Sequence, residues 1–210
     1  MNEHLLRMNP DAKYCVFDFE TEDLNLYTTQ PWQFACVVGT KDEILREHDI
    51  YMKWPNFNIS KEAEVITRFD PMYLEAHGKN PHEIFRIITE EFEDCDWIVG
   101  HNILGFDIHV YRRQCRVLGI KPYPIQNKLI DTMACGKGIK MEIPYKPGEN
   151  FLSYQIRLAN ERPPKKGFAT LNAFCKHYEI PVDETKLHNA LYDVQKNYQV
   201  LLKMLWNIEI

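Results

Sequence analysis

At 210 residues the chain is long enough to bury a hydrophobic core without disulfides or metal staples. Charged residues at 26% and hydrophobic ones at 45% exclude wholesale disorder, and 9 glycines with 12 prolines exclude collagen-like or low-complexity architecture. A net charge of −5 argues against a uniformly basic nucleic-acid coat and leaves room for a local basic patch.

The first strand in chain order is Tyr14 to Glu20, rich in aromatic and β-branched residues after the turn-like Asn9-Pro10-Asp11. A second strand fits Trp32 to Val38, Gly39 to Asp42 reads as a hairpin turn, and Glu43 to Tyr51 as a third, antiparallel strand. Ser60 is placed to cap a helix over 61–69, and Pro81 opens another with an apolar stripe of Ile84, Phe85, Ile87, Ile88 and Phe92. Trp97 to Val99 is a short buried strand ended by Gly100, followed by a helix from Leu104 to Leu118 that Gly119 stops. Pro124 to Leu129 suggests a further strand, and the last helices are expected over Thr170 to Tyr178 and Asn189 to Trp206. Strands first, then alternating helices and strands, make an α/β domain with a mixed sheet.

Six cysteines (Cys15, Cys36, Cys95, Cys115, Cys135 and Cys175) lack the close spacing of zinc sites and mostly lie in apolar runs, where a free thiol acts as a small hydrophobe. No apolar run reaches the length of a membrane span, about 18 residues, and the N-terminal residues lack the apolar stretch of a secretion signal. A cytoplasmic protein with no membrane partner is expected. Residues 136–168 differ in composition. They carry seven basic residues (Lys137, Lys140, Lys146, Arg157, Arg162, Lys165, Lys166) against three acidic ones, with Tyr145, Phe151, Tyr154 and Phe168 among them. The segment reads as an insertion or long excursion.

Three constellations carry chemistry. Asp18 and Glu20 alternate onto one face of the first strand, at its C-terminal end, where paired carboxylates resist double ionisation unless a cation neutralises them. Gly100 to Asp107 runs from a buried strand into a helix start, the place where ligands gather in open α/β sheets; alternatively, Asp107 complements a helix dipole. His188 would precede the final helix and Asp193 lie within it. An interval of five residues, about 140° apart on an ideal helix, keeps them off one helical face.

In this order, Phe17-Asp-Phe-Glu-Thr21, Gly100-His-Asn102 with Phe106-Asp107, Ile130-Asp-Thr132, and His188 through Asp193 closely resemble the motifs of DnaQ-like 3′–5′ exonucleases of the DEDDh subgroup. The resemblance extends from about Tyr14 to Leu205, and Tyr192 does not stand where the sister subgroup carries its tyrosine. It implies an RNase H-like α/β fold, with a mixed central sheet of about five strands, the first three antiparallel, flanked by α-helices. A single exonuclease domain is expected over 1–210, with the basic, aromatic-containing insertion at 136–168. The resemblance further implies that Asp18, Glu20, Asp107 and Asp193 bind metal and that His188 is the general base. Thr21 and Leu24 then surround the terminal nucleotide, His101 and Asn102 support the site, and Phe106 packs beneath it. One departure is that Glu22-Asp23 replaces the usual Thr-Gly, adding negative charge near the site.

An all-oxygen donor set favours Mg²⁺ or Mn²⁺ over zinc or copper. Two divalent cations about 4 Å apart would neutralise the four acids and clamp a phosphoryl group. The expected reaction is hydrolysis of the terminal phosphodiester of single-stranded DNA with a free 3′ end, releasing nucleoside 5′-monophosphates. A 3′–5′ exoribonuclease and a catalytically silent nucleic-acid-binding subunit are the alternatives, and a polymerase or replication partner in trans remains open. Substrate grip is expected from the basic stretch, Lys165 and Lys166 in particular, with Arg112, Arg113 and Arg116 as a second candidate.

Overall fold

The computed structural model describes residues 11–205. Five strands form one sheet: β1 (Tyr14–Thr21), β2 (Pro31–Gly39), β3 (Ile44–Tyr51), β4 (Trp97–Gly100) and β5 (Leu129–Asp131). Their spatial order is β3-β2-β1-β4-β5. The first three are antiparallel neighbours, while β4 and β5 join parallel to β1. This is the mixed sheet expected from the sequence, and β1 is the strand at which its direction changes.

Eight helices surround it among the described residues: α1 (Lys61–Thr67), α2 (Pro71–His77), α3 (Pro81–Asp94), α4 (Asp107–Val117), α5 (Thr132–Lys140), α6 (Phe151–Asn160), α7 (Leu171–His177) and α8 (Ala190–Met204). The sheet is covered on both faces, so every residue of β2 is buried and the strand, apart from Gln33, reads as an apolar run rather than an alternation. On one face Phe17, Phe19 and Phe34 pack with Ile84, Phe85 and Phe92 of α3 and Tyr111 of α4; the Phe17 and Phe92 rings lie 4.9 Å apart. On the other, Tyr14, Val16, Ala35 and Val37 meet Val194, Tyr198 and Leu201 of α8 and Phe174 of α7. All six cysteines are buried free thiols.

Several elements differ from expectation. The helix expected from Leu104 starts at Asp107, because residues 101–106 form a turn that ends β4. Pro124 to Leu129 is not a strand; a 3₁₀ turn over Gln126–Lys128 leads into the three-residue β5. The helix from Ser60 stops at Thr67, where Arg68 takes a left-handed conformation, and Asp70 caps a second short helix, α2. The end of α8 at Trp206 lies outside the described residues.

Residues 136–168 are not a loose excursion. They contain most of α5 and all of α6, whose Tyr154, Gln155 and Leu158 are buried. Gln155 ties the helix to the sheet: its Oε1 accepts the Asp131 N–H at 2.6 Å and its Nε2 donates to the Leu129 carbonyl at 2.9 Å. The aromatics also face inward, with Tyr145 against Tyr154 and Phe151 against Trp97.

Gly136 shows why α5 escapes a propensity reading. A Cβ there would sit 2.4 Å from the Phe174 ring and 2.8 Å from Met204. In an open helix Gly→Ala stabilises by about 1 kcal/mol. Here overpacking dominates, and Gly136→Ala is expected to destabilise by about 1–3 kcal/mol, read as a lower urea midpoint at unchanged m-value.

Candidate active site

The site begins where β1 outruns β4. Their pairing covers Tyr14, Cys15 and Val16. The Phe19 N–H lies beyond that ladder, and Asp107 Oδ1 accepts it at 3.2 Å. A carboxylate from the first turn of α4 is thereby fixed against the strand that carries Asp18 and Glu20. Those two share the face of Tyr14 and Val16, which α8 covers. Asn189 caps α8 by accepting the Tyr192 N–H at 3.1 Å, placing Asp193 in the first turn. His188 stands just outside, exposed, with φ of 64°; its backbone N–H donates to Asp193 Oδ2 at 3.0 Å. The geometry thus gives Asp193 a fixed backbone donor and leaves the imidazole of His188 at the cleft.

Asp18, Glu20, Asp107, Asp193 and His188 line one cleft of about 800 Å³. Thr21, Leu24, His101, Asn102 and Phe106 line it as well. Lys165 and Lys166 are exposed but do not line it, so the structure does not bring them to the acids. Of the other cations in that stretch, Lys137 donates to the Ala159 carbonyl, Lys140 to that of Phe168, and Arg157 pairs with Glu149. Arg113 is occupied too, donating to the Thr29 carbonyl at 3.1 Å.

Asp18, Glu20, Asp107 and Asp193, four of the six acids lining the cleft, are electrostatically crowded. Burial, then repulsion from Asp107, Glu20 and Asp193, raises Asp18 well above the usual carboxylate range. Glu20 is pushed up to about 8 by burial and then by Asp193 and Asp107. Burial lifts Asp107 to about 7 and Asp193 to about 6, each opposed by a backbone N–H donor. Asp193 Oδ1 is buried with no hydrogen-bond partner among the described residues. A buried orphan oxygen within an all-carboxylate set fits a hard divalent cation. No three of the four acids bring an oxygen each within 4.8 Å of one another, so gathering three onto one ion requires side-chain movement. The cluster that does meet this spacing, Glu91, Asp94 and Cys95, is already bonded through its carboxylates to Arg46, His48 and Lys13.

Behind the acids lies a polar support whose role the sequence did not reveal. Asp131 is fully buried; its Oδ1 accepts the N–H groups of Asn102 and Ala134, and its Oδ2 that of Leu104, each at 3.1 Å. It therefore caps α5 and holds the turn that delivers Asp107. His101 Nε2 donates to the Ala169 carbonyl at 3.0 Å, and burial depresses its pKa to about 4, keeping the ring neutral near pH 7.

Glu22 also departs from expectation. It is 6% exposed and does not line the cleft. Its carboxylate accepts the N–H groups of Gln30 and Asn58, and its carbonyl accepts that of Ser60. Glu22 thus mounts α1, a helix with no buried residue, over the cleft. Ala63, Ile66 and Thr67 of α1 form a wall that the sequence reading missed, because seven residues with no buried face leave no periodic signal.

The family model for the RNase_T exonucleases matches residues 15–201. The chain belongs to this exonuclease family. Among curated proteins, the chain is 25% identical over 186 residues to the PolC-type DNA polymerase III of Mycoplasma genitalium, and 22% identical over 183 residues to that of Ureaplasma parvum. These alignments cover 88% and 87% of this chain but 11% of each polymerase. Among solved structures, Escherichia coli exonuclease I in complex with a dT13 oligonucleotide superposes with a TM-score of 0.71 at 18% identity, covering 95% of this chain and 42% of that one. The likeness bears out the RNase H-like arrangement of the sheet and its flanking helices. No helix among the described residues is long and apolar enough to cross a membrane.

Proposed function

We propose that the protein is a divalent-metal-dependent 3′–5′ exonuclease that shortens single-stranded DNA and releases nucleoside 5′-monophosphates. The observation that carries this reading is the convergence of Asp18, Glu20, Asp107, Asp193 and His188 in one cleft at the C-terminal end of β1. Exonuclease I bound to a dT13 oligonucleotide and the polymerase relatives support a DNA substrate and a link to replication.

The four carboxylates would hold two cations, Mg²⁺ or Mn²⁺, which when bound neutralise the acids and polarise the phosphodiester. A ring nitrogen of His188 takes the proton of the attacking water as its oxygen bonds to phosphorus, and the P–O bond to the penultimate 3′ oxygen breaks. Leu24, Phe106 and Ile66 give the terminal base an apolar seat and exclude water from one side of the cleft. Asp131 and Glu22 keep the two walls in register through their backbone bonds.

Oligonucleotides labelled at the 3′ or the 5′ end decide polarity. With Mg²⁺, the 3′ label is expected to appear at once as mononucleotide while the 5′ label steps down a ladder. EDTA should abolish both, and matched RNA should be cut more slowly. Cleavage that persists in EDTA, or that starts from the 5′ end, overturns the proposal.

A further inference from the structure

The catalytic cleft contains six acids, Asp18, Glu20, Asp23, Glu62, Asp107 and Asp193, and among the described residues neither lysine nor arginine lines it. A nucleic-acid strand that leaves this cleft must find its countercharge elsewhere. Immediately across the His188 segment lies a second pocket, of about 430 Å³, which shares Thr67 and His188 with the first. Arg68 and Lys186 stand in it, and the aromatic rings of Trp32, Tyr51, Tyr73 and Tyr192 line it.

Resting on the exonuclease reading above, we infer that this second pocket binds the nucleotide next upstream of the one being removed, with its phosphate at Arg68 and Lys186 and its base against the tyrosines. Three features favour this occupant. The pocket adjoins the acids through the segment that bears His188, so a strand seated in one reaches the other without crossing the sheet. Its charge complements the cleft: Lys186 keeps only a loose 4.0 Å contact with Asp183, and Arg68 donates to the Thr185 carbonyl with one arm of its guanidinium. The acid in the lining, Asp70, already has its Oδ1 bonded to the N–H groups of Met72 and Tyr73. The rings are held in place, since Tyr73 lies 4.8 Å from Tyr51 edge-on and Trp32 lies 6.0 Å from Tyr51. Stacking on such rings tolerates any base, as an enzyme that degrades a strand stepwise requires.

The test compares a substrate that carries no upstream base or upstream phosphate, thymidine 5′-monophosphate p-nitrophenyl ester, with a dT8 oligonucleotide. In an Arg68→Ala/Lys186→Ala double variant and in Tyr73→Ala, kcat/KM on dT8 should fall about tenfold while that on the ester changes less than about twofold. Tyr73 lies on α2 and is not part of the His188 segment, so its loss probes the pocket without changing that segment's own residues. In EDTA, binding of 5′-labelled dT8 by the double variant should lose about 0.7 of salt-dependence slope for each phosphate contact removed. Equal losses on both substrates, or no loss on either with an unchanged salt slope, would overturn the inference. If the unaltered protein cleaves neither substrate, the exonuclease reading itself fails, and that result is separable from the others.

Discussion

Asp107→Asn is expected to slow nucleotide release by about 10³-fold, equivalent to about 4 kcal/mol of transition-state stabilisation, and to make the metal-free protein more stable at pH 8. Both effects follow from one placement. Asp107 is 3% exposed, shares the cleft with five other acids and is pushed up to about 7. An unfolded aspartate titrates near 3.9, so the folded state holds this proton more tightly than the unfolded one. Ionising the group therefore costs the fold nothing below about pH 4, progressively more up to about pH 7, and a constant amount above. Glu20, at about 8, and Asp193, at about 6, act in the same direction. Stability in EDTA should thus decline as pH rises through this window, and Mg²⁺ should restore it most on the alkaline side.

Asparagine keeps an oxygen for the Phe19 N–H and removes the charge. The variant should show a shallower decline in melting temperature between pH 5 and pH 8 in EDTA, and a smaller rise when Mg²⁺ is added. A variant that melts below the unaltered protein at pH 8 in EDTA would mean that the charged bond to Phe19 outweighs the crowding of the acids.

What could be read from the sequence depended on whether the signal was local. Strand β1 announces itself through hydrophobic and β-branched composition, and Asp18 and Glu20 share a face by alternation alone. Ser60, Pro81, Gly119 and Asn189 mark helix boundaries by the chemistry of single residues, and the structure has each at such a boundary. Helix α5 was not legible, because Gly136 and Gly138 lower its propensity and the reason for them lies in Phe174 and Leu158, far along the chain. The basic stretch shows a related limit. Composition records that Lys137, Lys140 and Arg157 are cationic but not that carbonyls and Glu149 already occupy them. Glu22 is the clearest case: its neighbours in sequence suggest one more charge in the site, whereas its bonds to Gln30 and Asn58 make it a strut. The second pocket likewise joins Trp32, Tyr51, Arg68 and Lys186, which no local pattern connects.

His188→Gly should lower turnover by about 10²–10⁴-fold, the range for a positioned general base, with little change in fold or Mg²⁺ affinity. Glycine is chosen over alanine because His188 holds φ of 64°, a left-handed conformation that glycine adopts freely and alanine resists. The bond to Asp193 Oδ2 comes from the backbone N–H, which every substitution but proline preserves. The carboxylate cluster should therefore survive loss of the ring, and imidazole added to the solution should recover part of the rate by occupying the vacated space. Initial rates on a 3′-labelled oligonucleotide with and without imidazole, together with the shift in melting temperature on adding Mg²⁺, separate the possibilities. A near-normal rate would place the base elsewhere in the cleft. Loss of the Mg²⁺-induced shift would mean instead that the ring is needed to hold Asp193, so that the backbone bond alone does not fix the carboxylate.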